Sequence, residues 1–598
     1  MNIVFGADYK CTSQRTDLVA ALQSFGPVTD VVSVDPNLSD YVEVAQHVAA
    51  RISFSPATSV GILICGTGIG ISITANKFPH VHAARCLSEQ DATDARTINN
   101  ANLLCLSAST PIETNLQIVK TFLQTLFPGD ERRTARLHKL AAIEQSNFAS
   151  PSAPTLERAL SAARETKHLH IGVNILPTVP ASFAKAFPNQ SPSLICDPNT
   201  FAVAGKQIQS AFASAGHANP PTLILSDSHL YAEHTFVDQV QQWLSTHNTI
   251  PIAIGSGIIN DLVKLAAHRL GRPYMCVATA ASMDGYTAFG ASITFNGVKQ
   301  TFDCPAPVSV LADLEIIRRA PTQMNAAGYA DLLAKITAGA DWILADALGV
   351  EPVDPTAWQL VQLPLRHSLS DPAGVRSGDL EATRRLTEGL MMGGFAMQWT
   401  KSSRPASGAE HQFSHLWDMQ HHTMPDGHAP SHGFKVAIGT LAVASLYEHL
   451  LTLDLSRLDI DSAVAAYPTP EQTEADITKH LGSAGELATR SRIEMKAKSI
   501  TPQALRAQLT TLQSIWPTLS TKLRAHLPPI QDLHTMLQTA QAPTHPSQIN
   551  IPLDRLRASY QQAYYIRRRF TVLDLVMRAN LLPSSLNTLF SPTGYWHP

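Results

Sequence analysis

Over the first 145 residues, short apolar runs alternate with stretches in which apolar positions recur every three or four residues. "NIVFG", "VTDVVSV", "VGILICG" and "NLLCLSA" read as strands, and "DLVAALQSFG" and "YVEVAQHVAARI" as amphipathic helices. Strands alternating with helices predict a parallel sheet built from βαβ units. The pattern breaks at "SNFASPSAPTLERALSAARE", whose Ser, Ala and Pro content predicts a linker over 146–169. Alternation resumes near 170 with "HIGVNI", "SLICDPNTFAVAG", "PTLILSD", "IPIAIGSGIINDLVKLAAHRL" and "PYMCVATAAS". From about 311 the β-rich runs stop, and long helical patterns such as "MNAAGYADLLAKITAGADWILADAL" continue to the end. No fixed-period repeat is present. The expected fold class is α/β: a small parallel-sheet domain over 1–145, the linker, a second α/β domain over 170–310 and a helical domain over 311–598.

Length and composition narrow the class. A chain of 598 residues exceeds what one core serves. Its net charge of −3, with 24 histidines uncounted, excludes a polycationic nucleic-acid binder. Seven cysteines without C-x-x-C spacing fit a reducing compartment better than a disulfide framework. "MNIVFGADYK" lacks the basic region and long apolar stretch of a signal peptide. The longest apolar run, "KVAIGTLAVASLYEHLL", is interrupted by polar residues and too short to span a bilayer. A soluble cytoplasmic protein with neither nucleic-acid nor membrane partners is expected.

"GILICGTGIGISITANKF", residues 61–78, reads as buried strand, glycine turn and helix start. Glycines at 66, 68 and 70 let backbone approach a ligand, and the free N–H groups of a helix start favour an anion. Cys65 closes the strand at its carboxyl end, where open α/β sheets bind ligands. A thiolate there would serve as base or nucleophile, although a buried cysteine is also a common small hydrophobe.

The first 145 residues resemble type B ribose-5-phosphate isomerases and the related galactose-6-phosphate isomerases. The 61–78 stretch, "FGADYK" and "NNANLLCLSA" carry the likeness. It implies aldose–ketose isomerisation of a phosphorylated sugar through a cis-enediolate. Cys65 would move the proton between C1 and C2, Thr67 would assist at the sugar oxygens, and N–H groups from Gly66 through Gly68 to Gly70 would stabilise the enediolate. Asp8 matches the family's acidic position near the substrate hydroxyls, and Asn99 would bind an open-chain hydroxyl. Arg132 and Arg136, one helical turn apart, match a pair that grips phosphate, often across a dimer interface. Their other reading is a solvated basic patch in "DERRTARLHK". Two departures stand out. Where the family commonly has a ring-opening histidine, this chain has Ile98, and Tyr9 follows the early aspartate where many members have histidine. An apolar side chain cannot pass a proton to a ring oxygen. Either this site is inactive, or its substrate needs no ring opening. A tetrose 4-phosphate cannot form a furanose, which points to a short acyclic sugar phosphate.

"IPIAIGSGIINDLVKLAA" is a second strand, glycine turn and helix. Asn260 stands where a G-x-G-x-x-G fingerprint has its third glycine, so the motif alone is weak. Downstream, "GYADLLAK", "EHQFSHLWDM" and "SHGFKVAIG" offer one carboxylate and two histidines, a three-ligand metal set with an open position.

The order of these pieces resembles the iron-containing alcohol dehydrogenases and dehydroquinate synthases. Within them it is most similar to sn-glycerol-1-phosphate dehydrogenases, especially a bacterial arabinose-operon branch. "GSGIINDLVK", "ATAASMDGYTAFGASI", "GYADLLAK", "PASGAEHQFSHLWDM", "HGFKVAIGT" and "YYIRRRFTVLDL" carry the likeness over about 170–598. It implies that Asp331, His411 and His432 bind one divalent metal, for which Zn, Ni and Fe suit the donors alike. His415 would face the substrate and Asp284 would hold a substrate hydroxyl. Gly255, Ser256, Gly257, Asp261 and Thr279 would contact NAD or NADP, with Asp197 near its adenosine end. Ala288 replaces a serine the family often has, removing one cofactor contact. His421, His422 and His428 read as ordinary hydrogen-bonded histidines, and the arginine run 567–569 as helix surface.

A dehydrogenase turns a polyol phosphate into a ketose phosphate, and an isomerase turns that ketose into an aldose. The two resemblances therefore imply a bifunctional enzyme of small polyol and sugar phosphates, forming a homodimer or higher homo-oligomer. The alternative is a glycerol-1-phosphate dehydrogenase whose first domain senses sugar phosphate or dimerises without catalysing.

Overall fold

Period-two alternation builds the first sheet. In the computed structural model, which describes residues 2–597 apart from 35–37, 39, 55, 57, 58, 149–155, 228, 229 and 296, the chain divides into two compact units, Met1–Ala153 and Pro154–Pro598. The first holds β1 (Asn2–Ala7), β2 (Val28–Asp30), β3 (Ser59–Cys65), β4 (Ala83–Arg85) and β5 (Leu103–Ser107), all parallel, in the order β2-β1-β3-β5-β4. Ile3, Phe5, Ile62, Ile64, Leu104 and Leu106 face one core, with Leu18, Ile118 and Phe122 from the covering helices. Val4, Leu63, Cys65, Leu103 and Cys105 face the other, against Val44, Val48, Ile52 and Ile71. Covering both faces explains why β3 is apolar throughout and wholly buried. The chain crosses from one side of β1 to the other between β2 and β3. Asp8 and Cys65, at the carboxyl ends of β1 and β3, therefore flank the switch point of the sheet.

Two expectations are corrected. "VTDVVSV" is not one strand: β2 ends at Asp30, and a short helix, Val31–Val34, follows. Asp30 accepts the Val32 N–H at 3.1 Å and pairs with Arg15 at 2.6 Å, which ends the extended run. The expected linker 146–169 is largely structured where it is described. The helix Glu131–Phe148 enters it, and a further helix spans Leu156–Ala162. The next strand starts at His168. Residues 149–155 of the expected linker lie outside the described residues. Leu156, Ala159, Leu160 and Ala163 recur at helical spacing and pack against Trp342, Leu360 and Phe395, and this burial outweighs the flanking Ser and Pro.

The second unit holds β6 (His168–Gly172), β7 (Pro192–Cys196), β8 (Thr222–Ile224), β9 (Ile250–Gly255) and β10 (Met275–Ala278), then an antiparallel hairpin of β11 (Ala291–Phe295) and β12 (Val298–Phe302), then β13 (Ser309–Asp313). The parallel sheet runs β6-β13-β10-β9-β7-β8. β13 carries it three residues past the boundary expected at 310. Beyond Asp313 the described residues form helices and their connections. Among the described residues, no helix is long and apolar enough to cross a membrane.

Three of these helices matter most: Thr322–Leu333, Ala409–Met419 and His432–Leu450. The third lies against the other two through glycines. A Cβ at Gly433 would fall 2.0 Å from the Ala327 carbonyl oxygen, and one at Gly439 would fall 2.3 Å from that of Glu410. Both obstacles are backbone, so neither can swing aside. Gly433→Ala is therefore expected to cost roughly 1–3 kcal/mol of stability through overpacking, although alanine is the better helix former by about 1 kcal/mol. A lowered midpoint of thermal unfolding checks this, and an unchanged or raised midpoint contradicts it.

Candidate active sites

In the first unit the turn after β3 is built so that its carbonyls point inward. The Gly66 carbonyl accepts from the hydroxyls of Ser107 and Ser109, each at 3.0 Å. The Thr67 carbonyl accepts from Arg85 Nε at 2.7 Å. Gly68 takes the left-handed conformation, φ 73°, and caps the helix Ile69–Ala75 without a side-chain bond. The first N–H groups of a helix have no acceptor within it. One partner is Cys65 itself, whose Sγ accepts the Gly68 N–H at 3.2 Å. A Cβ at Gly66 would meet nothing within 4 Å, so the turn faces open space there. Gly70 has an internal reason to be glycine, because a Cβ would lie 2.5 Å from the Tyr41 ring.

Asp8 is buried beside Cys65, and its carboxylate accepts the Lys10 N–H at 2.9 Å. Burial, with Asp8 and Cys65 nearby, pushes the neighbouring Cys11 thiol up to about 12. Asn99 ends the helix Glu89–Asn99 and is exposed, as is Ile98 beside it. Arg132 and Arg136 are exposed on the helix Glu131–Phe148, while Arg133 between them pairs with Asp130. The fold thus gathers Asp8, Cys65 and the 66–70 turn, and leaves Asn99, Arg132 and Arg136 exposed on two other helices.

In the second unit Gly255 ends β9, and Ser256 precedes the helix Gly257–Arg269. Thr279, just past β10, donates its N–H to the Gly255 carbonyl at 3.2 Å. The remainder of "GSGIINDLVK" holds a neighbouring segment in place. Asn260, fully buried, donates to the Gly285 carbonyl at 3.3 Å and accepts from the Tyr274 hydroxyl at 3.1 Å. Lys264 donates to the carbonyls of Gly285, Ala288 and Gly290, each at 3.0 Å. Asp261, expected among the cofactor contacts, accepts the Ser292 N–H at 3.1 Å and lies 3.8 Å from Lys264. Asp197 caps a short helix start, accepting from Asn199 and Thr200.

The three glycine-seated helices bring Asp331, His411 and His432 together, with their ligand atoms all within 4.8 Å. His411 Nδ1 lies 2.8 Å from Glu410, a buried carboxylate that also accepts from Thr337, and its Nε2 lies 3.5 Å from Asp331. Such a carboxylate fixes the tautomer and turns the other nitrogen to the cluster. His432 Nδ1 lies 3.4 Å from the Ser414 hydroxyl. The His415 ring stands 6.4 Å from that of His411 and 6.3 Å from that of His432. Asp284 joins from its turn: its N–H donates to Asp331 at 3.1 Å, and its carboxylate pairs with Lys335 at 2.6 Å. Lys335 also reaches Asp331, at 2.8 Å.

Burial acts to raise the Asp331 carboxyl, yet Lys335 and the two histidines outweigh it and hold the group far below the usual carboxylate range. Burial, with Asp331 beside it, raises Asp284. Burial lowers His432 to about 3 and His415 well below its ordinary value, so both imidazoles are neutral. Burial acts to lower His411, yet its bonds to Asp331 and Glu410 outweigh it and raise the group. A deprotonated carboxylate and neutral imidazoles are the forms that ligate metal, so a bound ion would take the place of a His411 proton, and three ligands leave a coordination position open. The donor set fits a divalent metal.

Residues 3–140 match the family model of ribose/galactose isomerases, and residues 170–321 that of iron-containing alcohol dehydrogenases. A glycerol-1-phosphate dehydrogenase [NAD(P)+] of Halalkalibacterium halodurans is 34% identical over 260 residues, 43% of this chain and 65% of that protein. One of Geobacillus thermodenitrificans is 30% identical over 318 residues, 51% of this chain and 78% of that protein. Ribose-5-phosphate isomerase B of Mycoplasma genitalium, solved with bound ribulose-5-phosphate, is 34% identical over 24% of this chain and 97% of its own, with a TM-score of 0.23. The chain belongs to both families, isomerase first and dehydrogenase second.

Sequence reasoning missed two residues of the dehydrogenase unit, Lys335 and Glu410. The signal for Lys335 was its place four residues after Asp331, one turn along the same face. Glu410 directly precedes His411. With Lys335 removed, the buried Asp331 and the half-buried Asp284 lose their shared cation. Lys335→Met is therefore expected to cost about 3–5 kcal/mol, as breaking a buried pair does. Urea denaturation measures it. A loss within about 1 kcal/mol, the range of exposed pairs, would show that Lys335 is not the compensating charge.

Proposed function

We propose that the dehydrogenase unit oxidises a secondary alcohol of a polyol phosphate of the glycerol 1-phosphate type, and that the isomerase unit interconverts a short ketose phosphate with its aldose. The observation that carries this is the pairing, on one chain, of a Cys65 glycine turn with the buried Asp331, His411 and His432 cluster.

In the dehydrogenase unit Asp331, His411 and His432 would hold the metal. Bound there, a divalent ion supplies Lewis acidity toward the alcohol oxygen. NAD or NADP supplies the hydride acceptor, and the turn at Gly255, Ser256 and Gly257, opening a helix N-terminus beside Thr279, suits its pyrophosphate. Glu410 keeps His411 turned toward the cluster, and Lys335 keeps Asp331 ionised. Asp284 accepts a substrate hydroxyl, and the neutral His415 offers a ring nitrogen to the substrate. Asp261 acts at one remove, by holding Ser292. Glycerol 1-phosphate dehydrogenases use either nicotinamide cofactor by name, which supports the same breadth here.

In the isomerase unit Cys65 Sγ takes a proton from one of the two carbons C1 and C2 and returns it to the other. N–H groups of the 66–70 turn stabilise the enediolate oxygen between the two steps. Thr67 and Asp8 hold substrate oxygens, Asn99 binds an open-chain hydroxyl, and Arg132 with Arg136 receives the phosphate. One observation favours a second reading, in which this unit binds sugar phosphate without turnover. Ile98 and Tyr9 are 37% and 60% exposed, and neither supplies the ring-opening histidine of the family.

Two experiments test these readings. Cys65→Ser is expected to lower isomerisation by at least about a hundredfold, the scale of losing a general base, with dehydrogenation kept. Chelation or His411→Ala is expected to do the reverse. Both activities falling together in either arm contradicts the assignment. The second concerns the substrate. A ring-opening acid/base is worth about 10²–10⁴ in rate, so the isomerase should prefer a tetrose phosphate to ribose 5-phosphate. Ile98→His should raise kcat/KM for ribose 5-phosphate more than for the tetrose. Equal rates on both sugars before substitution would show that another group opens the ring, and turnover of neither would favour the sensing role.

A further inference from the structure

Beside His415, the second unit holds a cavity of about 290 Å³. Four elements far apart in sequence converge on it. Lys299 comes from β12, His415 from the helix Ala409–Met419, Arg490 from the helix Glu486–Ala497, and Arg567 from the connection after the helix Leu553–Tyr565. The arginine run 567–569, expected to be helix surface, lies in that connection, and its members differ in what they do. Arg568 binds Glu494 at 2.8 Å. Arg569 donates to the Ser407 carbonyl at 2.7 Å and to the Ser403 hydroxyl at 3.0 Å. Arg567 turns to the cavity and donates to the Ser407 hydroxyl at 3.3 Å.

The charges lining this cavity do not balance. Arg490 is paired, with Glu494 at 2.7 Å. Arg567 and Lys299 have no carboxylate within ion-pair distance among the described residues, Lys299 instead lying 3.5 Å from the Tyr231 hydroxyl. Three cations therefore face a space whose lining holds one carboxylate, Glu486. Guanidinium groups match phosphate oxygens with a fixed fork of donors, and ammonium adds a point charge. The volume lies at the small end of ligand pockets, about 300–1,000 Å³, and suits a small metabolite rather than a dinucleotide. His415 connects the cavity to the cluster, since its ring is 6.4 Å from that of His411.

We propose that Lys299, Arg490 and Arg567 form the subsite that receives the phosphate of the polyol phosphate and so select phosphorylated over free polyols. The proposal rests on the dehydrogenase reading above. Losing a hydrogen-bonded charged partner costs roughly 10- to 100-fold. Arg567→Gln in the full, metal-loaded chain is accordingly expected to lower kcat/KM for glycerol 1-phosphate by that much more than for glycerol, chiefly through KM. Lys299→Met, at the hairpin, repeats the test if the arginine variant folds poorly. A ratio of the two kcat/KM values that neither variant moves overturns the proposal. Crystals of the full chain soaked in arsenate provide a measurement independent of turnover. An anomalous peak between Arg567 and Lys299 supports the subsite, and a cavity without one counts against it. Wild-type protein that reduces no nicotinamide with any C3 to C5 polyol phosphate would instead count against the dehydrogenase reading, and the arsenate result would then decide the subsite alone.

Discussion

A carboxylate with no access to water organises the second unit. Asp331 lies in the core of a helical bundle, where an unpaired charge is costly. Its compensation comes from several directions: the Lys335 ammonium one turn on, the His411 ring, and the N–H of Asp284. Each partner sits on a different element, so those elements are held to one another by the need to surround a single charge. The glycine seams answer the same need in steric terms. Without Gly433 and Gly439 the His432 helix could not lie close enough to its two neighbours for the three donor groups to meet.

The two units use the same local device differently. Each places a glycine turn at the carboxyl end of a buried parallel strand, ahead of a helix. In the isomerase unit the space before Gly66 is open, and the turn's carbonyls are tied down by Ser107, Ser109 and Arg85. In the dehydrogenase unit a Cβ at Gly255 would strike Ile259, and one at Gly257 would press on Met283. There the glycines first allow the chain to pack on itself, and Asn260, standing where a third glycine is usual, spends its side chain on the Asp284 turn.

Much of this was legible in the chain. Strands and turns could be read because parallel strands covered on both faces are unbroken apolar runs, as in β3. Asp331, His411 and His432 could be read because each sits in its own recognisable motif. What could not be read depends on partners distant in sequence. Lysine ordinarily signals solvent, and only the fold shows Lys335 held between two carboxylates. Nothing near Asp261 in the chain shows that it also accepts the Ser292 N–H, 31 residues on. Three consecutive arginines look alike on paper, and they differ because Glu494, Ser403 and Ser407 reach only particular members of the run. The stretch before β6 resembled a linker because composition outvoted a short helical period that has meaning only once Trp342 and Phe395 are beside it.

The division of one polypeptide into two compact units has a consequence for supply. Two separate proteins can drift in abundance through expression or turnover, and a cell must then correct the imbalance. Here each translation event delivers one Cys65 turn and one Asp331 cluster together. Their stoichiometry is set at one to one by covalent continuity, so dosage cannot be the means of changing one unit relative to the other.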